Sequence, residues 1–188
     1  MNASEEHLRQ ECWTKRFYSY GTARIFEKRA NEINRKRRVI TFLGLATPLT
    51  VGAFVTAFSV DSDILKVMLI PVAGLVALFQ SIMSLWSLVA KWDEEYSYSI
   101  TAVKANTRLT SDFEVLAQSD IDRIKRDISR LREEYQRQEI EDSAQHITDK
   151  EKRYAMRQSL FQYKLKCETC GKIPESLTPT SCDTCGKY

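Results

Sequence analysis

The sequence predicts an all-α membrane protein: a two-helix transmembrane hairpin, cytoplasmic amphipathic helices and a small C-terminal zinc ribbon. Three observations predict it. Val39 to Val60 carries no charged side chain, and neither does Val67 to Ala90. Apolar residues recur at helical spacing on both sides of that pair. The chain closes with CETCGKIPESLTPTSCDTCGKY, in which two Cys-x-x-Cys pairs stand eleven residues apart.

As helices the two apolar runs would measure about 33 and 36 Å, against a hydrocarbon core of about 30 Å. Only Asp61-Ser62-Asp63-Ile64-Leu65-Lys66 separates them, enough to turn around. The alternative, a pair of buried helices in a soluble protein, would need far more covering chain than 188 residues leave. A mean hydropathy of −0.37 averages two unlike populations and does not argue against spans.

Charge sets the expected orientation. Arg35, Lys36, Arg37 and Arg38 abut the first run and Lys91 follows the second, while the connecting loop has one Lys and two Asp. Basic flanks stay inside, so both termini are expected in the cytoplasm. Trp86, Trp92, Tyr96 and Tyr98 would then anchor the inner interface. The polar first 38 residues predict no cleavable signal peptide. The net charge of +3 is too small to argue for nucleic acid.

Within the hairpin, Gly44, Pro48 and Gly52 lie four apart on one face, where small residues let helices approach closely. Pro48 has no N–H for the Gly44 carbonyl, which predicts a bend or a loose turn. Gln80, Ser84 and Ser87 form a polar stripe on the second run. They are candidates to line a water path, or they serve as ordinary hydrogen-bonding contacts between helices. No ionisable residue sits at the centre of either run, which argues against proton-coupled transport.

The expected organisation is therefore an N-terminal amphipathic cytoplasmic helix (1–38) and a hairpin (39–90, with spans 39–60 and 67–90). A cytoplasmic helical region (91–165) and the ribbon (166–188) follow. In the first part Trp13, Phe17, Tyr20, Ala23, Phe26, Ala30 and Ile33 share one side. That side would pack on the C-terminal helices or lie on the inner leaflet. Gly21 predicts a weak point and a division into two segments, and Cys12 is expected to be a small apolar residue. Beyond the hairpin the second span is expected to continue inward as helix. Ser111-Asp112-Phe113-Glu114 reads as a capping box opening a new one. Its seam of Ala117, Ile121, Ile124, Ile128, Leu131 and Tyr135 suits a small bundle or self-association. Arg137–His146 reads as a solvated end, and Thr148-Asp149-Lys150-Glu151 as a second capping box.

Cys167, Cys170, Cys182 and Cys185 supply four thiolates, the preferred donors of structural Zn²⁺. Gly171 and Gly186 follow the pairs, where a knuckle needs backbone room or positive φ. Disulfides or a thiol redox pair are the alternatives; disulfides need an oxidising compartment, whereas the predicted orientation puts the tail in the reducing cytosol. Four thiolates leave no open position for catalytic water. His7 and His146 stand in charged helical contexts, and there is no phosphate loop or nucleophile elbow, so an enzyme is not expected.

Cys167-x-x-Cys170-x11-Cys182-x-x-Cys185 behind a hairpin resembles the small proteins of mobile genetic elements described by that spacing. The wider layout is similar to the SLATT superfamily of bacterial conflict systems. That resemblance implies a membrane effector in the bacterial inner membrane, a homo-oligomer that breaches it to abort phage infection. It also implies a sensor partner, a retron-type reverse transcriptase with its nucleic acid or a nucleotide cyclase. Direct nucleic-acid binding stays open. The superfamily has no catalytic residues to carry over, and the pore rests on likeness of layout. Two other readings stand beside it: a tether without a pore, whose ribbon docks a cytoplasmic complex, and a phage-type holin. The ribbon itself would dock a partner, with Lys164, Lys166, Lys172 and Lys187 around it, or cap the bundle.

Overall fold

The computed structural model describes residues 3–57, 67, 68 and 70–188. The expected turn at Asp61–Lys66 and the end of the first apolar run lie outside the described residues. Five α-helices occur among those residues: α1 (Ala3–Ala57), α2 (Ile70–Val89), α3 (Trp92–Gln118), α4 (Ile121–Ser143) and α5 (Asp149–Tyr163). They divide between two compact units, one built from the chain up to Arg29 with residues 98–188, the other from residues 30–97.

The first unit is a helical bundle. Its core joins Cys12 of α1, Leu109, Phe113, Leu116 and Ala117 of α3, and Ile124, Ile128 and Leu131 of α4. Ile121 and Tyr135 pack against it, so the predicted seam closes within the chain. Cys12 is fully buried, and burial raises its thiol to about 11, as befits an apolar core residue. No break falls at Gly21. A Cβ there would come within 2.9 Å of Ser159 Oγ and 3.2 Å of the Ala155 carbonyl oxygen. Glycine is present for the close approach of α1 to α5, and the helix runs through it.

Two boundaries differ from expectation. Ser111 lies inside α3, because continuing the helix buries Leu109, Phe113, Leu116 and Ala117 together. The true start of α4 is capped by Asp120, whose side chain accepts from the Arg123 N–H at 2.9 Å. Arg137–His146 is helical to Ser143, and Asp142 within it is buried. Its carboxylate accepts from the Tyr98 hydroxyl (2.7 Å), the Asn106 amide (2.8 Å) and the Gln138 amide (2.8 Å). The capping box at Thr148 forms: Glu151 N–H donates to Thr148 Oγ1 and Thr148 N–H to Glu151. Glu151 also takes two hydrogen bonds from Arg29, at 2.6 and 2.8 Å.

In the second unit α2 is apolar and has no buried residue. It is the one helix among the described residues long and apolar enough to cross a membrane. In the facing stretch of α1, Phe42, Leu45 and Leu49 are exposed as well. The helix does not continue from α2 into α3: Lys91 takes a positive φ of 50° and α3 begins afresh at Trp92. Asp93, Glu94 and Glu95 fill its first turn, where the unpaired N–H groups favour acids. Basic residues meet aromatic and acidic ones at this end. Arg37 pairs with Asp93 at 3.3 Å and lies over Tyr96, and Lys36 sits over Trp92.

Candidate metal centre

After α5 the chain turns at Lys164, which takes a left-handed φ of 53°, and enters two successive knuckles. No strand forms in this tail, so the expected ribbon is a pair of turns. The two hexapeptides, Cys167-Glu-Thr-Cys-Gly-Lys172 and Cys182-Asp-Thr-Cys-Gly-Lys187, are nearly the same sequence fifteen residues apart. Each closes on itself: Gly171 N–H donates to the Cys167 carbonyl (2.8 Å), Gly186 N–H to that of Cys182 (3.0 Å). Equivalent positions face each other. Cys167 and Cys182 sulfurs are 3.9 Å apart, as are those of Cys170 and Cys185, and the Thr169 and Thr184 hydroxyls meet at 2.5 Å.

All four sulfurs lie within 4.8 Å of one another, and all five cysteines of the chain are free thiols. A metal bound tetrahedrally by thiolates at about 2.3 Å sets sulfur–sulfur edges of about 3.8 Å. The donor set thus fits a tetrahedral metal ion. The N–H groups of Cys185 and Thr184 point at the Cys182 sulfur and lower its thiol to about 7. Burial, with the neighbouring sulfurs, pushes Cys185 up to about 12. Four crowded sulfurs cannot all ionise alone, and a cation at the centre removes that conflict.

The two glycines serve different needs. Gly171 has φ +69° with open space around it. Gly186 has no positive φ, but a Cβ there would fall 2.5 Å from the Thr180 carbonyl oxygen.

The knuckles are seated on the bundle. Leu160, Cys167 and Cys185 form one buried cluster, with Phe17 of α1 and Met156 of α5 packed against it. Arg157 is the residue that sequence reasoning missed. It is buried on α5, donates from Nε to the Ser176 carbonyl (2.9 Å) and brings Nη1 to 3.9 Å from Cys185 Sγ. Arg153 donates to the Lys187 carbonyl (2.7 Å), and Tyr154 meets Tyr188 edge to face. Arg153 and Tyr154, then Arg157 and Leu160 at successive steps of three, share a helical face whose arginines hid its purpose. Of the four lysines, Lys187 pairs with Asp183 and Lys164 lies over Phe161, while Lys166 and Lys172 are exposed.

The other candidate residues lie in the second unit. Gly44 faces α2, and a Cβ there would stand 2.5 Å from Gln80 Nε2. Pro48 and Gly52 are exposed, and nothing lies within 4 Å of a Cβ at Gly52. Gln80 and Ser87 are half-buried and Ser84 is exposed. The Ser87 hydroxyl donates to its own helix, at the Ser84 carbonyl (3.1 Å). Arg35, Lys36, Arg37 and Arg38 are all exposed.

An all-helical chain with a four-cysteine centre on its tail and one apolar helix without a buried residue is the class these features define. Over residues 9–188 it matches the family described as Mobilome CxxCx(11)CxxC protein, and it belongs to that family. No curated protein and no solved structure matches the chain.

Proposed function

We propose that this chain is a two-span membrane effector of the bacterial inner membrane, with both termini in the cytoplasm and a structural Zn²⁺ at the four cysteines. It assembles with further copies and permeabilises the membrane during phage infection, when a partner sensor activates or releases it. The observation that carries this reading is α2, an apolar helix with no buried residue and with Leu75, Leu78, Phe79, Ile82, Leu85 and Leu88 exposed. Such a helix has no solvent but lipid or other apolar helices. Support for the second span comes from α1, where Val39, Phe42, Leu45 and Leu49 are exposed. A family of mobile elements is where a defence effector would be found. Zinc is favoured among metals because a closed set of four thiolates is its structural site.

A second reading, a tether without a pore, is favoured by one contact. Gln80 is turned to Gly44, which makes it a bridge within the hairpin and leaves less of the polar stripe for water. Membrane potential separates the two. With this chain alone expressed in bacteria, a voltage-sensitive dye should report rapid depolarisation, lost when Gln80 and Ser84 become Leu. Unchanged potential, at confirmed membrane expression and with the partner system present and triggered, would exclude the permeabilising effector.

A further inference from the structure

Between α1 and α2, inside the second unit, lies a groove of about 490 Å³. Its floor is apolar, formed by Ile40 and Leu43 of α1 with Phe79 and Met83 of α2. Its mouth carries Arg35 and Lys36, with Glu32 the one carboxylate among the lining residues. Gln80 adds a single amide at the deep end, beside Gly44. From Arg35 to Leu43 the helix rises about 12 Å. Charge is therefore confined to one end, and the depth below it suits the glycerol and upper chain of a lipid.

The basic residues at that mouth have charge to spare. Arg37 is engaged by Asp93, and Lys36 lies over Trp92. Among the described residues Arg35 and Lys36, the two cations that line the groove, have no ion-pair partner. Two unpaired cations above an apolar slot are complementary to a phosphate diester with acyl chains. A neutral ligand would leave the cations unanswered, and a free anion would leave the slot unfilled.

We propose that the groove is a binding site for an anionic glycerophospholipid of the inner leaflet, phosphatidylglycerol in kind. The headgroup phosphate meets Arg35 and Lys36, and one acyl chain lies along Leu43, Phe79 and Met83 toward Gln80 at the deep end. This rests on the membrane reading above, and Glu32 limits how much negative charge the headgroup can add.

The test uses the full chain reconstituted in vesicles of equimolar phosphatidylcholine and phosphatidylglycerol. The protein is floated with the vesicles, extracted in neutral detergent, and its retained lipid is measured by mass spectrometry. Retained phosphatidylglycerol should exceed phosphatidylcholine about fivefold, the effect of one net positive charge near an anionic headgroup, two basic side chains less the carboxylate of Glu32. The Arg35→Gln/Lys36→Gln pair should bring the ratio close to one, and so should Met83→Trp, which fills the slot without changing charge. Arg37→Gln/Lys91→Gln removes as much charge outside the groove and should keep the enrichment. Equal retention of both lipids by the wild type, or an equal loss in that control, overturns the site. A wild-type chain that does not float with the vesicles overturns the membrane reading and the site together; one that floats without enrichment overturns the site alone.

Discussion

The guanidinium of Arg157 stands 3.9 Å from the sulfur of Cys185, inside the protein, and its Nε–H holds the Ser176 carbonyl at 2.9 Å. One side chain on α5 thus touches a candidate metal ligand and the loop that joins the two knuckles. The positive charge favours thiolate at Cys185 and the planar fork fixes the loop, the place an outer partner would take beside a metal held by the four cysteines.

Replacing Arg157 with Ala should therefore weaken metal binding by about 10- to 100-fold, the usual effect of losing such a partner. Arg157→Lys should fall between, since it keeps the charge and loses the fork. Competition against a chromophoric zinc chelator reads this directly. Wild-type affinity in Arg157→Ala would remove the assigned role.

Gly21 is fitted to Ser159. Gly21→Ala gains about 1 kcal/mol of helix propensity, but its methyl would lie 2.9 Å from Ser159 Oγ and 3.2 Å from Ala155. The expected net effect is a loss of about 1–2 kcal/mol, because a well-packed contact resists added volume. Adding Ser159→Ala should recover part of it while giving up the 2.9 Å bond to the Phe17 carbonyl. Thermal unfolding of the two variants decides; an unchanged midpoint in Gly21→Ala would show that α5 yields freely.

Glu151 makes the bundle sensitive to acid. Burial works against its ionisation, but Arg29 and the Thr148 N–H and hydroxyl outweigh it and hold the carboxyl at about 2, against 4.5 ordinarily. A carboxylate lowered on folding contributes stability above its unfolded value and loses it as pH falls. The contribution should be whole above about 4.5 and fade toward pH 2, amounting to about 1–2 kcal/mol after solvent screening. Glu151→Gln should destabilise at neutral pH and flatten the acid limb of the unfolding profile. A profile identical to wild type would refute the assignment.

Asp142 has the opposite sign. Burial raises its carboxyl, and the hydrogen bonds from Asn106, Tyr98 and Gln138 recover only part of that cost. A carboxyl raised on folding binds its proton more tightly in the native state, so it favours folding less as pH climbs past 3.8. Asp142→Asn, which removes the charge and keeps an acceptor, should stay within about 1 kcal/mol of wild type at pH 7. Asp142→Ala strands the Tyr98 hydroxyl and Asn106 amide and should lose about 2–3 kcal/mol. Denaturant titration at pH 7 compares them; equal losses would mean the charge itself is what the site needs.

The periodic signals were legible where one partner helix decides the pattern. Ala117 to Tyr135 read as a seam and is one, and Thr148 with Glu151 read as a cap and forms it. What stayed hidden depends on contacts between distant residues. Ser111 to Glu114 has the letters of a cap, yet four buried residues around it reward an unbroken helix. Asp142 sits in a charged run, and only Tyr98, forty-four residues earlier, reveals why it is inside. In the tail, the cysteine spacing announced the cluster. Arg157 gave no sign, because an arginine on a helix usually faces water.

The twin hexapeptides of the tail spell the same Cys-Gly-Lys ending and yet ask for glycine on unrelated grounds. At residue 171 the demand is one of handedness, a backbone at φ +69° with room to spare; at 186 it is one of emptiness, beside a carbonyl 2.5 Å from any added carbon. A mirror-image alanine introduced by chemical ligation should satisfy the first position, since its preferred φ is positive. An ordinary alanine satisfies neither. Duplicated motifs can therefore conserve a letter twice while the chain needs it once for chirality and once for space.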